Sequence, residues 1–146
     1  MENDLIKLYS TRILALAADI PHLGRLEDPM GSHRARSVQC GSAVTVDVKI
    51  EAGRIVAFAQ DVKACALGQA SASVLGAQAL GRSHAEIISA RDALRDMLAG
   101  GPAPEAPFEG FEVLRAAESF KNRHASILLA LEATAAAFEA AEGKAA

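Results

Sequence analysis

Cysteine is almost absent from this chain. Its 146 residues hold two, Cys40 in Gln39-Cys40-Gly41-Ser42 and Cys65 in Lys63-Ala64-Cys65-Ala66-Leu67. One disulfide is the most they can form, and a chain of this length buries a core without staples. Aromatic residues are also scarce, at 4%, while apolar residues make up 51% and are largely alanine; helices packed through small side chains are expected. No dense Lys/Arg face stands out and the formal net charge is −3, which argues against a nucleic-acid partner. No apolar run reaches bilayer length, so no membrane association is expected. The start, Met1-Glu2-Asn3-Asp4, lacks the basic region of a signal peptide. The chain therefore reads as cytoplasmic, where thiols stay reduced. That favours a metal or a reactive thiol over a structural disulfide. No internal repeat is found, and residues 1–146 read as a single domain.

Hydrophobic periodicity sets the elements. Leu5, Leu8, Tyr9, Arg12, Ile13 and Leu16 fall at helical spacing and predict an amphipathic helix over residues 3–18, ended before Pro21. Residues 24–36 read as an extended, poorly anchored stretch, and residues 32–39 could supply a short edge strand. Val44, Val46, Val48 and Ile50 alternate with Thr45, Asp47 and Lys49, the pattern of a half-buried strand. Glu51-Ala52-Gly53 makes a turn, and residues 54–62 return as a second strand. The period then becomes helical over residues 66–80. Ser83 and Glu86 form a capping-box pattern that opens a short helix, and a further helix covers residues 90–98. A Gly/Pro/Ala loop spans residues 100–107, residues 109–117 look helical, and residues 121–141 form a final helix with Ile127, Leu128, Leu131, Ala135 and Phe138 on one face. This is an α+β plan: a small antiparallel three-stranded sheet packed against helices.

The hairpin brings its ends together, so both thiols should lie at one edge of the sheet, as a disulfide or as shared metal ligands. Cys65 sits just before a helix, where the backbone dipole and unpaired N–H groups favour thiolate, the form that binds metal or attacks sulfur. Zinc wants further N or S donors. Of the four histidines, His22, His33 and His84 occupy loop-like or capping positions and read as solvated. His124, in Lys121-Asn122-Arg123-His124-Ala125-Ser126, lies in the first turn of the last helix, where the neutral, metal-competent ring is favoured.

In order and spacing, the chain resembles the NifU N-terminal/IscU/SufU iron–sulfur cluster assembly scaffolds over about residues 8–138. Tyr9, Asp19, Pro21 and Gly24 look like the family's Tyr…Asp-His-x-x-x-Pro-x-x-x-Gly stretch. Cys40-Gly41-Ser42 before a valine-rich strand is similar to its Cys-Gly-Asp. The segment Ala64-Cys65-Ala66-Leu67-Gly68-Gln69-Ala70-Ser71-Ala72-Ser73 is similar to Gly-Cys-x-x-(Ser/Ala)-x-Ala-Ser. Arg123-His124-Ala125-Ser126-Ile127-Leu128 takes the place of a motif that carries the family's third cysteine. The departures are Ser42 for the aspartate and the missing third thiol. Aligned to a Lys-Cys-Ala-Thr-Leu motif, His124 replaces that cysteine; aligned to His-Cys-Ser-Met-Leu, His124 matches the histidine and Ala125 replaces the cysteine.

The resemblance implies a SufE/NifU-like fold, one NifU-like domain and no enzyme activity. It implies a metal site of Cys40, Cys65 and His124 that holds zinc or a [2Fe–2S] cluster, since a Cys₂His set leaves one position open. It further implies sulfur delivery from a cysteine desulfurase, with Cys65 as candidate acceptor, and passage to apo iron–sulfur acceptor proteins. Clusters usually take four thiolates; a homodimer sharing one would supply them. The alternative is a degenerate zinc-binding or protein-binding regulator without scaffold activity. A hydrolase triad of Ser42, His124 and Asp61 can be imagined, but no Gly-x-Ser-x-Gly elbow is present.

Overall fold

The computed structural model of the chain describes residues 8–39 and 41–145. Helix α1 (Thr11–Ala18) leads into a sheet of β1 (Gly31–Arg36), β2 (Ala43–Glu51) and β3 (Arg54–Lys63). Helices α2 (Ala66–Gln78) and α3 (His84–Leu98), two 3₁₀ segments (Glu109–Ala117 and Lys121–Arg123) and a long helix α4 (His124–Ala145) follow. The α+β plan with a three-stranded antiparallel sheet, in the order β1-β2-β3, is the one the periodicity predicts.

Several boundaries differ from that reading, each for a local reason. The first helix does not run unbroken from residue 3 to 18, and residues 1–7 lie outside the described ones. The Ser10 hydroxyl accepts from the Ile13 amide at 3.3 Å and starts α1 at Thr11, because serine competes for backbone donors where a helix can begin. The two short helices expected after Ser83 are one. Its start is the capping box of Ser83 and Glu86. Ile87, Ala90, Leu94 and Met97 then form one buried stripe with no breaker between them.

The hairpin joining β2 and β3 turns at Ala52 and Gly53, with φ of 51° and 75°; positive φ at both central residues is the geometry that matches strand twist. Val44, Val46 and Val48 are fully buried on one face of β2, under α4, which packs on β1 and β2. A side chain at Gly31 would collide with the Ala137 carbonyl and with Ala141. The small-residue packing expected from the alanine content is thus realised where β1 meets α4. The outer edge of β3 is partly covered: Gly24 donates to the Gln60 carbonyl, Gln60 to His22, and Ile55 to Arg82. Such cover removes unpaired edge groups that would template aggregation.

The stretch before β1 is firmly anchored, contrary to the sequence expectation. Asp47, an apparently solvent-facing residue of an alternating strand, is fully buried. Its carboxylate accepts from Arg25 Nε at 2.6 Å, Arg25 Nη2 at 3.0 Å, the Leu26 amide at 3.0 Å and Ser32 Oγ at 2.6 Å. Periodicity missed this because both anchoring segments lie far from Asp47 in sequence. Burial alone would push the Asp47 carboxyl up, but these bonds and the Arg25 charge outweigh it and hold the group below the ordinary carboxylate range. The stability it contributes is therefore fully present above the unfolded pKa of about 4 and is lost as pH falls through the lower folded value. Asp47→Ala should cost about 2 kcal/mol in urea denaturation at neutral pH, since the Leu26 amide and the Ser32 hydroxyl lose their acceptor while Arg25 is left solvated. In Asp47→Asn, stability should fall less than in the wild type between about pH 7 and pH 3; an unchanged acid limb would contradict this assignment.

Candidate metal and sulfur site

Cys65 lies two residues beyond β3 and is the N-cap of α2, with φ −66° and ψ 171°. That extended conformation turns the chain from strand into helix and leaves the half-buried thiol at the open end of α2. Its Sγ is 3.5 Å from Ser126 Oγ, in the first turn of α4. Ser126 in turn donates to Ser42 Oγ at 3.0 Å, and both serines are buried, at 1% and 3% exposure. Three distant segments thus meet at one sulfur: the residue before β2, the cap of α2 and the start of α4.

Each hydroxyl carries one proton and can accept as well as donate. With Cys65 protonated, the chain runs from the thiol through Ser126 to Ser42. With Cys65 ionised, the same groups can reverse, Ser42 donating to Ser126 and Ser126 to the sulfur, so neither state strands a buried hydroxyl. Burial pushes the Cys65 thiol up. The Gly68 amide, the Ser126 hydroxyl, the Leu67 amide and the Arg123 charge together outweigh it, and the pKa lies below that of an ordinary thiol. Sγ closes no formal capping bond; the amides act on it from the unpaired end of the helix. Gly68 is required here for space: a Cβ would come within 2.6 Å of Ser126 Oγ and 2.8 Å of Ala64 Cβ.

His124 begins α4, and its Nε2 lies 2.9 Å from the Ala117 carbonyl oxygen. A carbonyl can only accept, so Nε2 donates in this bond and Nδ1 is the ring nitrogen left for another partner. Histidine metal ligands are commonly held this way, through the nitrogen that does not bind the metal. His124 and Ser126, two residues apart, project roughly 200° apart around the helix, and the residue of α4 that meets the Cys65 sulfur is Ser126. Cys40 lies outside the described residues. Among the described residues, no three His, Cys, Asp or Glu side chains form a metal-holding group. His22 and His33 are exposed, and His84 Nε2 lies 2.9 Å from the Glu139 carboxylate. The hydrogen bonds of Ser42 and His124 run to Ser126 and Ala117, while Asp61 is exposed on β3, so they do not connect as a triad.

Ser126, Gly68 and Arg123 were not legible as site residues. The one available signal is a polar side chain in the first turn of an otherwise apolar helix, beside a histidine with stronger donor chemistry. In a Cys40→Ser background, iodoacetamide should alkylate Cys65 with a pH midpoint below that of a free thiol. Ser126→Ala should move that midpoint to higher pH and slow alkylation several-fold at neutral pH, because a donor to the thiolate is lost. An unchanged profile would remove Ser126 from the site.

The sequence model of the NifU-like N-terminal domain matches residues 8–127. The iron–sulfur cluster assembly scaffold protein IscU of Thermotoga maritima is 24% identical over 123 residues, covering 84% of this chain and 87% of that protein. The crystal structure of a nitrogen-fixing NifU-like protein (N-terminal) from Brucella abortus is similar at TM-score 0.92 and 39% identity, covering 96% of this chain and 98% of that one. The fold is also that of a putative iron–sulfur cluster assembly scaffold protein for the SUF system from Fervidobacterium islandicum, at TM-score 0.83 and 20% identity, over 91% of this chain and 98% of that one. With its Cys65 thiol, its buried sheet and its terminal helix in this arrangement, the chain belongs to the NifU-like N-terminal domain family.

Proposed function

We propose that this protein is a scaffold-type component of iron–sulfur cluster assembly, and that Cys65 is its sulfur-accepting thiol. The observation that carries the reading is the Cys65 sulfur at the open end of α2, held toward thiolate by Gly68, Ser126 and Leu67 against its own burial. The name of the Thermotoga maritima relative, an iron–sulfur cluster assembly scaffold, supports it. In the transfer, the Cys65 thiolate attacks the outer sulfur of a persulfide on a cysteine desulfurase. The new S–S bond forms on Cys65 as the donor's own S–S bond breaks, and the donor cysteine leaves as thiolate. The assembled cluster is the protein's cargo, passed on to apo acceptor proteins.

Cys40, Cys65 and His124 form the proposed metal site. The support is donor chemistry, a thiol whose pKa is lowered and an imidazole whose Nε2 is tied to a backbone carbonyl, while the α4 side chain at the Cys65 sulfur is Ser126 and not His124. Bound zinc would hold the thiolates as a soft Lewis acid until exchange. One protomer offers too few thiolates for an all-cysteine cluster, so a shared site between two copies is part of the same reading.

One observation favours a second reading, a zinc-binding or protein-binding regulator of the pathway without scaffold activity. Ser42 stands at the family's aspartate position and its hydroxyl is buried and bonded to Ser126, so that position supplies no carboxylate. Metal analysis and reconstitution separate the two. Under the scaffold reading the purified protein carries about one zinc per chain, which falls in Cys65→Ser and in His124→Ala. Anaerobic incubation with iron and sulfide then yields a visible charge-transfer spectrum that Cys65→Ser lacks. Tight zinc with no cluster, and no stimulation of a cysteine desulfurase, would leave the regulator.

A further inference from the structure

The face of the sheet turned away from α4 is covered over Asp47 by residues 24–30, but it is open toward the site. Two cross-strand rows end there in exposed side chains. Arg34 pairs with Thr45 and Thr45 with Asp61; Arg36 pairs with Ala43 and Ala43 with Lys63. Arg34, Arg36, Asp61 and Lys63 are exposed; Arg25, Arg34, Asp61 and Lys63 line a shallow depression of about 360 Å³, with Arg36 at the end of the neighbouring row. Among the described residues, Arg34, Arg36 and Lys63 make no salt bridge. Three cations without a salt bridge on one sheet face, with Arg25 and Asp61 among them, run against the sign of a chain whose net charge is −3.

The position of these rows gives them a use. Lys63 ends β3 and Cys65 follows two residues later, about 7 Å along an extended chain. The Arg36 row ends β1 next to Ser37, whose amide donates to the Ser42 carbonyl and whose carbonyl accepts from the Gly41 amide. The residue following Ser37, Val38, is 96% exposed. An exposed apolar residue beside unpaired cations, at the rim of a reactive thiol, has the make-up of a protein contact, with arginines suited to bidentate carboxylates. A nucleic-acid backbone would need a denser basic stripe without a central Asp61.

Resting on the reading that Cys65 receives sulfur from a desulfurase, we infer that the sulfur donor docks on this face through an acidic surface. Its carboxylates meet Arg34, Arg36 and Lys63, and its own cation meets Asp61. This charge pattern sets the register that brings the donor's persulfide to Cys65, steers the encounter and makes it salt-sensitive.

The test is binding of the organism's own cysteine desulfurase to the full chain by isothermal titration, in low and in high salt. Arg34→Glu/Lys63→Glu should weaken binding roughly ten-fold or more in low salt, with the difference shrinking in high salt. Zinc content, thermal melting and loading with iron and inorganic sulfide, none of which needs docking, should match the wild type. Asp61→Lys should weaken binding too, since it places a cation against the partner's. Undiminished affinity in the double variant, with wild-type binding intact, overturns the docking face and leaves the sulfur-accepting role standing. A wild type that binds no desulfurase overturns both. Loss of self-association rather than of desulfurase binding, seen by sedimentation, would assign the face to a second copy of the chain and overturn the inference as well.

Discussion

The site depends on how closely α4 approaches the rest of the molecule. Gly31 on β1 leaves no room for a side chain between strand and helix, and at the start of the helix Gly68 does the same beside Ser126. Between these two contacts, α4 lies over Val44, Val46 and Val48 with alanine as its main currency. Dispersion and burial per residue are small for alanine, but a small side chain lets backbones come near, and close packing is what makes interiors dense. The result for the site is positional. The first turn of α4 is carried to the mouth of α2, and Ser126 is delivered to the Cys65 sulfur.

Two buried polar arrangements lie on the same three strands and work differently. Asp47 is a full charge removed from water, matched by a guanidinium, a hydroxyl and an amide. It pins the segment before β1 over the middle of the outer sheet face and leaves the end near Cys65 open. The Ser42–Ser126 pair carries no charge and satisfies itself in either direction, so the group it serves can change ionisation. A carboxylate at residue 42 could not reverse in this way; it would instead add a negative charge beside a sulfur that is otherwise held toward thiolate.

Much of the fold was legible because strands and helices leave periodic traces. The valines of β2, the Ala52-Gly53 turn and the Ser83/Glu86 capping box each correspond to an element observed. The failures share one cause. Asp47 looked solvent-facing because strand alternation says which face a residue is on, not what covers that face. The start of α1 after Ser10 and the single helix from the Ser83 cap to Leu98 are not encoded by spacing, because a cap or a continuous stripe depends on which backbone donors a side chain reaches.

The sequence by itself determined the α+β plan, the family and the placement of Cys65 at a strand-to-helix junction, since these follow from local periodicity, turn chemistry and motif order. It also identified His124 as an available imidazole. Only the tertiary structure decided that Ser126 meets the Cys65 sulfur and that Ser42 backs it. It alone gathered Arg34, Arg36 and Lys63 into one basic face next to the thiol. Those arrangements join residues far apart in the chain, and their distances are set by how closely α4, α2 and the sheet pack, which no local pattern encodes.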